Sequence, residues 1–349
     1  MSHPSSGPGT PGPGEPRADL VGPTLDPSPA DPGPATTTPG PAATATVPTD
    51  RWGLLLGAGA FFLWGAMPLF FPLLAPATPL EIIAHRVVWS LLFCVLLLAL
   101  TRGLGAFVAA LRTPRVVGVL SVAAVLIVTN WTTYVYGVLS GHVLDAALGY
   151  FINPLVTVLL GVLVLGERLR PLQWYAIGIA AVAVVILTVD YGHPPWIALL
   201  LAGSFGTYGL AKKKANVGAV ESLTFETVLL APIALGYIWW LTATGDSNFA
   251  SHGAGHAVLL ASTGLVTAVP LICFGAAAIR IPMSTLGLLQ YLAPTIQFAL
   301  GVVVFDEQMT TVKWIGFALV WLALAIFTVE ALRHRRRTQL RLVVEASAV

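Results

Sequence analysis

The chain has 349 residues, of which 56% are hydrophobic and 10% are charged, and its mean hydropathy is +0.82. Soluble domains carry about 25% charged residues, so this composition excludes a water-soluble globule and requires lipid as solvent for much of the chain. The formal net charge of +2 is too small to indicate a nucleic-acid partner. Cys94 and Cys273 lie in apolar runs, which predicts reduced thiols rather than a disulfide.

Residues 1–50 differ in composition from the rest of the chain. They are rich in Pro, Gly, Thr, Ser and Ala and show no apolar periodicity. Such a segment cannot bury enough surface to offset its chain entropy, which predicts a disordered tail. It lacks the apolar core of a secretory signal. A solvated extension is the simpler interpretation, and a partner-binding tail remains an alternative.

From Trp52 onward, apolar runs of about 20 residues alternate with short polar breaks, the length at which a helix crosses a ~30 Å hydrocarbon core. Continuous runs of this length exclude a transmembrane β-barrel, whose strands are short and alternating. The sequence therefore predicts an all-α membrane protein with ten transmembrane helices. The predicted spans are Trp52–Leu74, Glu81–Leu100, Val116–Leu139, Ala146–Leu165, Leu172–Val189, Trp196–Ala211, Ser222–Leu241, Ala257–Ile279, Met283–Phe305 and Val312–Leu332.

Basic residues follow the even-numbered spans. The loops after spans one, three, five and seven contain no Lys or Arg, and the loop after span nine has only Lys313. By the positive-inside rule both termini are predicted to be cytoplasmic, including a basic tail at 333–349. The residues that carry this pattern are Arg102, Arg112, Arg115, Arg168, Arg170, Lys212, Lys213, Lys214, Arg280, Arg333, Arg335, Arg336 and Arg337.

The second half of the chain repeats the first at a shift of 140 residues. The matched pairs include Pro154 with Pro294, Glu167 with Glu307 and Trp174 with Trp314. Two repeats, 51–190 and 191–332, then hold five spans each, and an odd number inverts the second copy in the membrane. Inverted repeats are typical of transporters with a solute site near mid-membrane and alternating access. A duplication that only builds a stable bundle is the alternative.

Arg86 and Glu226 are the two permanently charged side chains well inside the predicted spans, and they too are 140 residues apart. A charge in hydrocarbon costs several kcal/mol unless it faces a cavity or finds a partner. We interpret each as lining one half of a water-filled pathway, at depths too different for direct contact. Contact between helices is the alternative, with Arg86 bonded to backbone carbonyls. His85 could exchange protons near neutral pH, but a hydrogen-bonded packing role is favoured.

A group of amides and aromatic residues lies on spans three, four and nine, beside the two repeat-related prolines. These side chains suit an amphipathic or zwitterionic solute, although helix packing explains any one of them equally well. Pro154 and Pro294 are the predicted hinges. The predicted binding residues of this group are Asn130, Trp131, Tyr134, Tyr150, Asn153, Gln290 and Tyr291.

Three kinds of catalytic motif are missing from the sequence. It has no P-loop, no His-Glu-x-x-His metal site and no Gly-x-Ser-x-Gly elbow. We therefore expect no direct use of ATP, no metal, no cofactor and no enzymatic activity.

Five segments, in this order along the chain, carry a resemblance to a known family. They read FFLWGAMPLFF, EIIAHRVVWS, TNWTTYVYGVLSGHVLDAALGYFINPL, LTFETVLLAP and STLGLLQYLAPTIQF. Together they resemble the RarD group of the EamA family, in the drug/metabolite transporter superfamily, from Trp52 to about Leu332. The resemblance implies ten helices in two inverted repeats, a bacterial plasma-membrane location and secondary transport through a central cavity. The positions that match by motif are His85, Arg86, Asn130, Trp131, Tyr150, Asn153, Glu226, Gln290 and Tyr291.

The function expected on these grounds is secondary transport, in the direction of export, of small organic solutes of the chloramphenicol-sensitivity type. The partners are the lipid bilayer and a small-molecule substrate, and the sequence leaves the oligomeric state open. The alternative is a non-transporting membrane scaffold or sensor whose N-terminal tail recruits a partner.

Overall fold

The computed structural model of the protein describes residues 50–166, 169–278, 280–281 and 283–347, and regular structure within these ranges is entirely helical. Residues 1–49 of the predicted disordered segment 1–50 lie outside the described residues, as do Glu167 and Arg168, whereas Asp50 is ordered as the N-cap of the first helix. The helices are α1 (Arg51–Phe70, continued by a 3-10 turn at Phe71–Leu74), α2 (Pro79–Leu100), α3 (Leu104–Leu111), α4 (Pro114–Leu139), α5 (Val143–Leu165), α6 (Pro171–Tyr191), α7 (Trp196–Ala215), α8 (Ala219–Thr244), α9 (Gly253–Ala278), α10 (Met283–Leu289), α11 (Leu292–Val303) and α12 (Thr311–Ser347).

The chain is an all-α membrane protein, as predicted. Nine segments within the described ranges are long and apolar enough to cross a bilayer, with α10 and α11 together forming one of them. The remaining predicted span, the sixth along the chain, is α7, whose 20 residues carry Lys212, Lys213 and Lys214 in the last turn. These lysines lower its hydropathy, but its length of about 30 Å still matches the hydrocarbon core. α7 packs against α4 and α5 inside the bundle.

The helices recur at the spacing of the sequence repeat. α2, α5 and α6 begin at residues 79, 143 and 171, and α8, α10 and α12 begin at 219, 283 and 311, 140 residues later in each case. Three helices pack on their own counterparts: α2 on α8, α5 on α11 and α6 on α12. The contacts of α1 with α9 and α11 are matched by those of α7 with α4 and α5. Two five-span repeats related by a pseudo-two-fold axis would give this pattern of contacts.

The two repeat-related prolines differ in their effect on the helix. The ninth span is broken at Gln290 and Tyr291, between α10 and α11. Pro294 lies four residues after Gln290, the position at which a proline ring clashes with the carbonyl group and removes its hydrogen bond. Pro154 lies inside α5, which remains a continuous helix. A break in regular helix therefore accompanies one of the two predicted hinges.

Two further helical segments were not predicted. The short helix α3 fills what the sequence indicated to be the loop after the second span, between Arg102 and Arg112. α12 continues through the basic segment as far as Ser347, so residues 333–347 are helical.

Glu307 joins the two halves of the chain at one end of the bundle. Its carboxylate accepts hydrogen bonds from the backbone N–H groups of Val143 and Leu144, the latter at 3.0 Å. These are the first two residues of α5, whose N–H groups have no partner within the helix. A carboxylate at this position also interacts favourably with the helix dipole. The loop before α12 thereby holds the start of α5.

Candidate functional site

Arg86 lies in the interior of the bundle on α2, with 5% of its surface exposed. Its Nε donates a 2.8 Å hydrogen bond to the Thr267 hydroxyl of α9. The guanidinium carbon lies 4.1 Å from the centroid of the Trp131 ring on α4, a cation–π geometry. Three helices from both repeats therefore meet at one buried cation.

The electrostatic compensation of Arg86 is incomplete. Within the described ranges, the bond from Nε is the only hydrogen bond of the guanidinium, and no Asp or Glu forms an ion pair with it. A cation–π contact contributes about 0.5–2 kcal/mol. Removing an ion from water costs several kcal/mol. The surrounding protein thus offsets only part of the cost, and the Nη donors remain available to a ligand.

Asn130 is the centre of a hydrogen-bond network next to this cation. Its Nδ2 donates to the Leu201 carbonyl at 3.2 Å and to the Ser204 hydroxyl at 3.1 Å, both on α7. The Tyr150 hydroxyl donates to Asn130 Oδ1 at 3.1 Å. Asn130 is 1% exposed, and its amide links α4, α5 and α7. It has both a packing role and a role in orienting Tyr150.

A row of aromatic rings runs from the end of α1 towards the end of α7; it is buried at Phe71 and Tyr134 and reaches the surface at Phe205, which is 37% exposed. Neighbouring ring centroids lie 5.6–6.0 Å apart. At the far end, Lys212 Nζ lies 5.0 Å from the centroid of the last ring. The row offers an apolar surface with hydroxyl groups at intervals, which suits an amphipathic solute. Its members are Phe71, Tyr134, Tyr150, Phe205 and Tyr208.

Three polar atoms along this row have no hydrogen-bond partner in the part of the chain that the structure describes. They are the Tyr134 hydroxyl, Asn153 Oδ1 and Gln297 Oε1, all buried. Buried polar atoms are normally bonded to protein or water. Asn153 faces Gly206 of α7, where a Cβ would lie 3.4 Å from its Oδ1. These atoms give the centre spare hydrogen-bonding capacity.

Glu226 lies in a second cluster, on α8, and is fully buried. Its carboxylate forms an ion pair with Lys212 at 3.0 Å and accepts hydrogen bonds from Tyr208 at 3.1 Å and Ser222 at 2.8 Å. Lys212 also donates to the Ser222 hydroxyl. The charge of Glu226 is thus compensated by the protein itself, and this group is here called the Glu226 cluster.

A third polar cluster joins α2, α9 and the loop between α8 and α9. Glu81, which is 1% exposed, accepts bonds from the backbone N and Nδ2 of Asn248 at 2.7 and 2.8 Å. The His256 ring nitrogens lie 2.8 Å from the Asn248 carbonyl and 3.0 Å from the Leu74 carbonyl. Carbonyls only accept, so both bonds form together only when the imidazole carries two protons.

Three predicted site residues lie apart from these networks. The His85 ring stacks on Phe249 at 4.7 Å, and its Nε2 is buried without a hydrogen bond among the described residues. This stacking differs from the hydrogen-bonded packing that the sequence favoured. Tyr291 lies 3.5 Å from the Thr328 hydroxyl and packs in the apolar cluster with α12. Gln290 lies at the break between α10 and α11.

A cleft of about 450 Å³ lies at the beginning of α2 and α7. Thr132, Thr133 and Tyr136 of α4 line it, together with the first residues of α2 and α7 and with Tyr237 of α8. Arg86, Trp131 and Tyr134 are not among its lining residues.

Sequence reasoning missed several partners. Lys212 was assigned to a loop because it follows the apolar run, whereas α7 extends to Ala215 and includes it. The spacing of Ser222 and Glu226, four apart on one helix, was an available signal. Thr267 lies 181 residues from Arg86, and no feature of the sequence connects them.

Comparison with known proteins adds to this geometry. Residues 51–189 match the EamA-like transporter family. A RarD protein from Streptomyces exfoliatus is 56% identical over 300 residues, which cover 86% of this chain and 95% of that protein. A RarD protein from Escherichia coli strain K12 is 41% identical over 288 residues, with 82% and 97% covered. The chain belongs to the RarD proteins of the EamA-like transporter family.

As a member of this family, the chain is a multi-pass bacterial membrane protein of the transporter type. One crystal structure aligns over 80% of this chain and 98% of its own, with a TM-score of 0.52 and 22% sequence identity. At that identity the likeness supports the fold alone.

Proposed function

We propose that this RarD-type protein is a secondary transporter that exports small organic solutes across the bacterial plasma membrane. The observation that carries the proposal is the Arg86 site, where a buried cation with free donors lies against the Trp131 ring and where helices from both halves of the chain meet. In this proposal the polar groups bind solute rather than perform catalysis. The aromatic rings and hydroxyl groups around the cation would determine which class of small solute binds.

Alternating access would come from movement of one repeat against the other. The Glu226 cluster ties α7 to α8, and the Glu81 carboxylate ties α2 to the loop before α9. These polar groups lie near opposite ends of α8 and its neighbours. We propose that the Glu226 cluster and the Glu81 carboxylate alternately hold the two ends of the transport pathway closed, with Pro154 and Pro294 as hinges. Gln290 and Tyr291, at the break beside Pro294, would move with that hinge.

Both termini are proposed to be cytoplasmic. The support is the clustering of Lys and Arg after even-numbered spans, of which Lys212 and Lys214 at the end of α7 are the clearest described example.

The test is efflux from proteoliposomes loaded with a mixture of amino acids, amines, carboxylates and phenicols, read by mass spectrometry. We expect saturable, protein-dependent efflux of at least one solute. Arg86→Gln should lower it by about tenfold or more, because hydrogen bonds to charged groups contribute about 1.5–3 kcal/mol.

Two variants provide controls for this measurement. Leu92→Ala lies on the exposed side of the same helix and should transport normally. Deletion of residues 1–49 should also leave efflux intact, whereas a scaffold or sensor would lose its phenotype. The absence of saturable efflux for every solute would refute the proposed function.

A further inference from the structure

The charges around Arg86 indicate the class of solute, an inference that rests on the proposed function. We infer that the Arg86 site binds the carboxylate of a small organic monoanion whose body is apolar or aromatic. The site consists of Arg86, Thr267, Trp131, Tyr134 and Tyr150.

In the part of the chain that the structure describes, no carboxylate pairs with Arg86. Three carboxylates are buried in the described ranges, and each has its own donors. Glu81 accepts two bonds from Asn248, Glu226 pairs with Lys212, and the third, Glu330, pairs with Arg170 at 2.6 Å. Because the buried carboxylates among the described residues already have donors, we infer that the anion that compensates the guanidinium is a solute.

The free donors of Arg86 match a carboxylate in shape. Nε donates its hydrogen bond to Thr267, which leaves the N–H groups of the two Nη atoms free. These two groups form a planar fork that can bind both oxygens of one carboxylate. Tyr134 and Tyr150 lie within electrostatic range of the guanidinium, and the Tyr134 hydroxyl is unpartnered among the described residues. It can donate to the same anion.

Charge and surroundings exclude other solutes. An amine would face a like charge at the site. A dianion would keep one charge uncompensated, because Lys212, the cation at the other end of the aromatic row, is bonded to Glu226. The rings of Trp131, Tyr134 and Tyr150 surround the position with apolar surface, which favours an aromatic or aliphatic body over a sugar.

The test uses three probes of nearly equal shape: 3-phenylpropanoate, 3-phenylpropanamide and 3-phenylpropylamine. Each is titrated onto the purified full chain in detergent, and the melting temperature reports binding through mass action. We expect the propanoate to raise the melting temperature saturably, the amide to need at least about tenfold higher concentration because it lacks the charge-assisted bonds, and the amine to have no effect.

Variants separate the site from general effects of charge. Arg86→Gln should abolish the preference for propanoate over amide, and Arg86→Lys should weaken it, since an ammonium lacks the fork. Lys214→Gln removes an exposed cation and should leave the preference unchanged. If Arg86→Gln does not fold, the preference for propanoate over amide is compared between the unsubstituted chain, Arg86→Lys and Thr267→Val. The last of these removes the hydroxyl group that accepts from Nε.

Several results would overturn the inference: equal binding of propanoate and amide, a preference that survives Arg86→Gln, or no stabilisation by any probe. Efflux assays on the same preparation distinguish this failure from that of the proposed function. Saturable efflux of amines or neutral solutes without carboxylate preference would refute the solute class and leave the transporter intact.

Discussion

Arg86 and Glu226 occupy equivalent positions in the two repeats, yet their charges are compensated in different ways. Glu226 has an ion pair and two hydroxyl donors, all from the protein. Arg86 has one hydroxyl acceptor and one ring face. The closed network around Glu226 stabilises the conformation in which it forms, whereas the open one around Arg86 leaves binding capacity. Substitutions at the two positions should therefore give different phenotypes.

For the Glu226 cluster we expect a strong loss of stability when one partner is removed. Lys212→Met leaves the fully buried Glu226 carboxylate without its ion pair, which costs about 3–5 kcal/mol, whereas Glu226→Leu leaves a lysine that is 22% exposed and should cost less. The double variant should be more stable than either single variant because no charge remains uncompensated. Thermal unfolding in detergent, followed by tryptophan fluorescence, measures all three.

The matched control is Lys214→Met, which removes an exposed lysine from the same helical turn and should leave the melting temperature unchanged. Additive losses in the double variant would show that Lys212 and Glu226 do not stabilise each other.

At the scale of helices, α2 and α9 approach closely at a glycine. A Cβ on Gly264 would lie 2.6 Å from the Trp89 carbonyl oxygen and 2.7 Å from the Trp89 Cβ. Neither neighbour can move without shifting α2. This contact also sets the distance between Arg86 and Thr267, which lie on the same two helices.

We expect Gly264→Ala to destabilise the protein by about 1–3 kcal/mol through overpacking. Gly275→Ala on the same helix meets open space and should be neutral or slightly stabilising, because alanine favours helix by about 1 kcal/mol. Melting temperatures in detergent compare the two. Equal effects would contradict the close packing of α2 and α9.

The sequence predicted the transmembrane helices well because continuous apolar runs report burial in lipid directly. Arg86 and Glu226 were found for the same reason, as charges that interrupt those runs. Their partners were not found, since residues such as Thr267 and Asn248 become neighbours only when distant helices pack. The sequence also could not predict that the helix continues at Pro154 but breaks beside Pro294. Packing around a proline decides whether its helix breaks.

For the whole molecule, the proposed orientation can be tested at the two ends of α8. In a chain with Cys94 and Cys273 replaced by alanine, we expect Asp246→Cys to react with a membrane-impermeant maleimide on intact cells. Ala219→Cys should react only after permeabilisation, since it follows the lysines at the end of α7. Both positions are exposed.

Labelling with the opposite sidedness would show that the chain has the reverse of the proposed orientation. Labelling of both positions from outside would show that α8 does not cross the bilayer.

α12 is much longer than a bilayer is thick. Its 37 residues extend about 55 Å, against a hydrocarbon core of about 30 Å. The final turns therefore form a stiff rod that projects beyond the lipid. Because the rod is stiff, a fluorophore at Leu340 would keep a nearly constant height above the membrane surface as long as α12 does not tilt. A change in energy transfer to a lipid dye would therefore report tilting of the second repeat during the transport cycle.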